Sequence, residues 1–123
     1  MTPLMISAFN GRVDVVSVLL DRGAYIEDSS EAGWTALHFA AEKGYLGIAS
    51  LLLERGASVS ARNNNQSTPL TVAAKNGRED VVLLLLEKGA HIEECDERSW
   101  TSLHLAADMG HHVLVTLLLE RGA

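Results

Sequence analysis

The chain has 123 residues, of which 47% are apolar, and its 10 Lys and Arg against 16 Asp and Glu leave a net charge of -6. That balance argues against a nucleic-acid binder, because phosphate contacts need a basic surface, and mildly favours basic protein partners. One cysteine, Cys95, excludes an internal disulfide and suits a reducing compartment.

The chain opens on Thr2-Pro3-Leu4-Met5-Ile6-Ser7-Ala8. Threonine ahead of an apolar run offers an oxygen to the free N–H groups of a helix start, and proline suits the first helical position. Gly11 stops this short helix. A second follows, with Val15, Val18 and Leu19 on one face at i, i+3 and i+4, and Asp14 in the first turn, where the helix dipole favours negative charge. Gly23-Ala24 closes it, and an alternating stretch around Ile26 reads as an extended turn or hairpin.

The pattern restarts 33 residues on, at Thr35-Ala36-Leu37-His38-Phe39-Ala40-Ala41. Leu37, Ala40 and Ala41 form the buried stripe, and Gly44 ends the helix in a left-handed conformation. Ile48, Leu51 and Leu52 then line a second helix that closes at Gly56-Ala57, ahead of a hairpin around Val59. A third copy runs from Thr68-Pro69-Leu70-Thr71-Val72-Ala73-Ala74 through Gly77, Asp80, Val81/Leu84/Leu85 and Gly89-Ala90 to a hairpin around Ile92. The fourth runs from Thr101-Ser102-Leu103-His104-Leu105-Ala106-Ala107 through Gly110 and Leu114/Leu117/Leu118 to Gly122-Ala123. From Thr101 onward its 23 residues match Thr35 to Ala57 at 13 positions without a gap.

A fixed period of this length means a stacked array, since neither helix persists alone in water and each unit buries its apolar face on its neighbour. One domain is expected over 1–123, with repeats at approximately 1–29, 30–62, 63–95 and 96–123, the first and last partial. Neither outer repeat carries polar substitutions on its stacking face, so the chain is read as a segment of a longer array. The longest aliphatic run, Val81 to Leu86, is too short to span a bilayer, and the N-terminus does not resemble a signal peptide. A cytoplasmic protein with no membrane partner is expected.

Thr-Pro-Leu-(His)-x-Ala-Ala, a glycine, a Val/Leu-rich helix and Gly-Ala at period 33 resemble ankyrin repeats over essentially the whole chain. The resemblance implies an all-α ankyrin-repeat solenoid of stacked antiparallel helix pairs, with β-hairpin loops projecting at one edge and the first helices lining the concave side. There are departures. His38 and His104 keep the motif histidine, whereas Met5 and Thr71 replace it. The glycine two residues before Thr is kept at Gly33 but is Gln66 and Ser99 elsewhere, so those two hairpins are expected to be shaped differently.

No catalytic constellation stands out, and no enzyme is expected. His38 and His104 recur by repeat position and read as histidines that hydrogen-bond neighbouring backbone and hydroxyl groups. His91 with Cys95, or His111 with His112, do not supply the four convergent ligands of a structural zinc site, so no metal and no cofactor are expected. Asn65-Gln66-Ser67 matches a glycosylation acceptor and reads as a polar hairpin tip.

The resemblance places a partner, protein or peptide, in the concave groove and along the hairpin tips. The matching positions are Phe9, Asn10, Ser29, Glu31, Ala32, Trp34, Glu42, Lys43 and Arg62 in the first half of the chain. In the second half they are Asn64, Asn65, Ser67, Lys75, Asn76, Cys95, Glu97, Arg98, Trp100, Asp108 and Met109. Trp34, Lys43, Arg62, Lys75, Trp100 and Met109 form the expected contact set, with Glu31, Glu42, Asn76, Arg98 and Asp108 beside them. Trp34 and Trp100 hold one position two repeats apart, roughly 20 Å if each repeat advances by a helix-packing distance. Charge is banded: Glu27, Asp28 and Glu31 are acidic, Arg55, Arg62, Lys75 and Arg78 are basic, and Glu93, Glu94, Asp96 and Glu97 are acidic again. The alternative function is a structural spacer within a longer array.

Overall fold

A computed structural model describes residues 1–123 as eight helices in four antiparallel pairs. The first helices are α1 (Pro3–Phe9), α3 (Ala36–Lys43), α5 (Pro69–Lys75) and α7 (Ser102–Asp108). The second helices are α2 (Val13–Asp21), α4 (Leu46–Glu54), α6 (Glu79–Glu87) and α8 (His112–Glu120). Each first helix packs on the first helix of the next pair and on its own second helix, which makes the all-α solenoid that the period implies. No helix is long and apolar enough to cross a membrane.

Every first helix starts on its threonine. The hydroxyls of Thr2, Thr35, Thr68 and Thr101 accept the amides of Met5, His38, Thr71 and His104 at 3.2, 3.4, 3.3 and 3.5 Å. In the last three pairs the third helical residue returns a bond to the threonine N–H: His38 Nδ1 at 3.1 Å, Thr71 Oγ1 at 2.9 Å and His104 Nδ1 at 3.0 Å. The His-to-Thr change at position 71 therefore keeps the capping box. Met5 has no acceptor to offer, and the first repeat lacks this second bond.

Small residues let the first helices approach closely: Ala8, Ala40, Ala41, Ala73, Ala74 and Ala106 are wholly buried between them. Leu52, Leu85 and Leu118 fill the space between the layers. In α2 the expected stripe is not the buried one. Val15 and Val18 are 48% and 57% exposed, and Val16 is the wholly buried residue. The counterparts of Val15, namely Ile48, Val81 and Leu114, are buried and those of Val18, namely Leu51, Leu84 and Leu117, are half-buried, in pairs that follow another pair, whereas α2 belongs to the first.

The connecting loops are tight reverse turns whose β character is confined to isolated bridges, Ser29–Thr35 and Cys95–Thr101. Contrary to the expectation from Gln66 and Ser99, the three turns share one shape. Each closes with an amide-to-carbonyl bond, Ser30 to Trp34 at 2.9 Å, Asn63 to Ser67 at 3.0 Å and Asp96 to Trp100 at 3.0 Å. Gln66 (φ 61°) and Ser99 (φ 63°) adopt the left-handed conformation of Gly33 (φ 82°). That costs a side chain about 1–2 kcal/mol, and the residue three positions earlier supplies the offset. Asn63 Oδ1 accepts the amides of Asn65 and Ser67 at 2.9 and 3.0 Å. Asp96 Oδ1 accepts those of Arg98 and Trp100 at 2.9 and 3.1 Å. Ser30, ahead of Gly33, makes only one such bond, to the Trp34 amide.

Gly33 is required for a second reason. Asn64 folds across it to donate to the Glu31 carbonyl at 2.8 Å, so a Cβ on Gly33 would lie 2.7 Å from Asn64 Oδ1 and 2.9 Å from the Asn64 backbone nitrogen. Gly33→Ala should lower stability by about 2 kcal/mol, read from the urea midpoint at unchanged slope. A shift of the opposite sign comes from Ser102. It occupies the first helical position of α7 fully buried, and its hydroxyl has no hydrogen-bond partner. The equivalent residues are Pro3, Ala36 and Pro69. An unpaired buried hydroxyl costs about 1–3 kcal/mol, so Ser102→Ala should stabilise the chain by about 1 kcal/mol and raise its melting temperature.

Candidate functional site

The second, third and fourth repeats line a groove of about 400 Å³ between the first helices and the connecting turns. Its floor is Val72 and Leu105, on the inner face of α5 and α7. Glu42, Lys75 and Asn76 reach in from the C-terminal ends of α3 and α5, and Asn65, Ser67, Glu97 and Arg98 form the loop wall with Trp34 at one end. Of the expected contact residues, the groove thus gathers Trp34, Glu42, Lys75, Asn76 and Arg98. Glu31, Lys43, Arg62, Trp100, Asp108 and Met109 do not line it.

Those six have other surroundings. Lys43 places its ammonium 4.4 Å from the centre of the Phe9 ring, and Phe9 meets Phe39 edge-on at 5.9 Å. Trp34 stacks toward Phe39 at 5.2 Å, so an aromatic ridge runs from the first repeat to the groove mouth. Trp100 lies under the Arg98 guanidinium at 4.3 Å. Arg62 is a clamp between loops: its Nη1 donates to the carbonyls of Gln66 and Cys95 at 2.8 and 2.9 Å. Glu31, Asp108 and Met109 are exposed, Glu31 in the turn ahead of α3 and the other two at the C-terminal end of α7.

The charge bands are partly structural. Arg78 Nε donates to the Glu42 carbonyl at 2.9 Å, which joins the second repeat to the third. Glu94 is buried and accepts from Ser60 Oγ and the His91 amide. Burial alone would raise the Asp96 carboxyl, but hydrogen bonds from the Trp100 and Arg98 amides, with the Arg98 guanidinium at 3.2 Å, outweigh it and hold the pKa below the ordinary value. Lys75 and Glu97 remain exposed, with no ion-pair partner.

Sequence reasoning missed Phe39, Val72 and Leu105. They share one column with Ile6, apolar in all four copies although it lies off the i, i+3, i+4 stripe, and that column was the available signal. It also missed Asn63 and Asp96, whose polar side chains three residues before a left-handed position mark the turns they hold.

Stacked helix pairs, threonine-capped first helices and turns closed by hydrogen bonds define a helical-repeat protein. The family model for ankyrin repeats (3 copies) matches residues 1–63 and again residues 58–123. The chain belongs to the ankyrin-repeat family, whose members are in general protein–protein interaction modules and typically not enzymes. No curated protein matches the chain.

Proposed function

We propose that the chain is a non-enzymatic interaction module that holds an extended segment of another protein in its concave groove and against the loop edge. The groove itself carries this reading: about 400 Å³ of space whose walls are fixed by turn hydrogen bonds before any partner arrives. A preformed wall lowers the ordering cost of binding. Trp34 supplies an aromatic anchor, Lys75 and Arg98 pair with acidic groups of the partner, and Glu42 and Glu97 pair with basic ones. Lys43, Arg62, Trp100, Met109, Glu31 and Asp108 extend the contact beyond the groove, and Asn76 adds a polar contact inside it. The single free thiol fits action in the cytoplasm.

The test is capture of a polypeptide by the chain, followed by calorimetric titration of that polypeptide against variants. The Lys75 side chain is exposed and makes no hydrogen bond or ion pair within the chain, so Lys75→Glu should leave the fold intact. It and Trp34→Ala should each weaken binding by about tenfold or more. Arg22→Ala, on the far layer, should change nothing. Equal affinities for native chain and both groove variants would remove this reading.

A further inference from the structure

We propose, resting on the groove function given above, that the partner segment held there is a left-handed polyproline helix of defined charge order. It carries basic, acidic and basic side chains at every third position, opposite Glu42, Lys75 and Asp108.

These three residues form one column with Phe9 at the ends of the first helices, spaced by the 33-residue period. The charges in the column alternate, yet neighbours do not neutralise one another. The chain's two ion pairs are Arg55–Asp21 and Arg98–Asp96, and the side chains of Glu42, Lys75 and Asp108 make no hydrogen bond. Glu42 is half-buried and Lys75 is exposed although α5 packs on α3 and α7 packs on α5. The column therefore stays open where a further repeat follows.

Spacing selects the conformation. Packed helices lie about 8–10 Å apart, which sets the step from one charge to the next. A polyproline helix has three residues per turn and advances about 9.3 Å in each, so every third side chain returns to the same side. A β-strand covers a similar distance in three residues, but the third neighbour then points to the opposite face. An α-helix matches the step only at every seventh residue, and its carbonyls are already bonded internally.

The donors of the groove fit the same ligand. A polyproline helix has no internal hydrogen bonds, so its carbonyls need partners. The Trp34 indole N–H and the Asn65 side-chain amide border the groove and have no partner within the chain. Beside the charged column runs the apolar column of Phe39, Val72 and Leu105 at the same step, with Trp34 stacked toward Phe39 at 5.2 Å. Aromatic-lined grooves of this kind take proline rings. Each turn of the ligand thus gives one charge to the charged column, one proline to the apolar column and one residue to solvent.

The test is fluorescence anisotropy of three labelled peptides titrated with the chain at low salt. Pro-Pro-Arg-Pro-Pro-Glu-Pro-Pro-Arg carries the matching order. Pro-Pro-Arg-Pro-Glu-Pro-Arg-Pro-Pro has the same composition with charges at every second position, and Pro-Pro-Glu-Pro-Pro-Arg-Pro-Pro-Glu inverts the order. The matching peptide should bind about tenfold or more tightly than either of the others. The variant Glu42→Lys/Lys75→Glu/Asp108→Lys, with circular dichroism to confirm folding, should prefer the inverted peptide. It remains acidic overall, so net charge alone does not reverse the preference. Equal binding of the three peptides, binding of none, or a preference that the variant does not reverse would overturn the charge order. If Trp34→Ala still weakens all three, or Lys75→Glu still weakens the captured polypeptide, the groove function stands and the charge order alone falls. If no substitution alters any binding, both fall.

Discussion

Replacing His38 by alanine lowers the stability of the chain by about 3 kcal/mol, because two buried polar groups lose their partners together. The imidazole is wholly buried. Its Nδ1 accepts the Thr35 amide at 3.1 Å, and its Nε2–H donates to the Ser67 carbonyl at 2.9 Å, which ties the second repeat to the turn ahead of the third. This pairing requires the neutral ring. Burial pushes the His38 pKa below its ordinary 6.5, against the opposing pull of hydrogen bonds to the Ser67 and Ala61 backbone. The folded pKa is therefore depressed and the unfolded chain takes up its proton first. This contribution to stability is complete above pH 6.5 and is lost as pH falls from there to the folded pKa. The slope in that window is at most about 1.4 kcal/mol per pH unit. His38→Thr copies the capping box of Thr71 and should abolish the His38 part of the slope in urea titrations at about pH 7.5 and 5.5. An unchanged slope in that variant would show that His38 is not held neutral.

Val81→Ala and Val15→Ala form a controlled pair, being the same substitution in the same column of the repeat. Val81 is 1% exposed on α6, which packs against α4 and α5, and its truncation should cost about 2–3 kcal/mol through lost burial and a residual cavity. Val15 is 48% exposed, and its truncation should cost less than about 1 kcal/mol in dilute solution. Chemical denaturation of both variants measures the difference. Equal costs would mean that the first helix pair is not stacked as described.

That pair also locates what the sequence could and could not say. The period, the threonine caps and the small residues between first helices were legible because each follows from local chemistry repeated in register. Burial at Val15 was not, since it depends on which neighbour covers a face and the sequence pattern is the same either way. The turns at Gln66 and Ser99 were misjudged for a related reason. The glycine column alone argues for different shapes, while the compensating oxygens of Asn63 and Asp96 act through loop geometry.

The site shows the same division. Trp34, Glu42, Lys75, Asn76 and Arg98 were placed by the resemblance, and the structure brings them to one groove. Arg62 was expected as a contact residue within a basic band, and its bonds to two backbone carbonyls emerge only when neighbouring loops are stacked. Phe39, Val72 and Leu105 could have been found from their uniformly apolar column, which a search for a single helical stripe passes over.

Hydrogen exchange of the chain with and without its captured partner tests the central claim most directly, because it reads the contact surface without altering a residue. The concave-groove account predicts slowed exchange in the turns at 63–67 and 96–100 and at the C-terminal ends of α3 and α5. Slowing confined to α2, α4, α6 and α8 would place the partner on the opposite layer and contradict it.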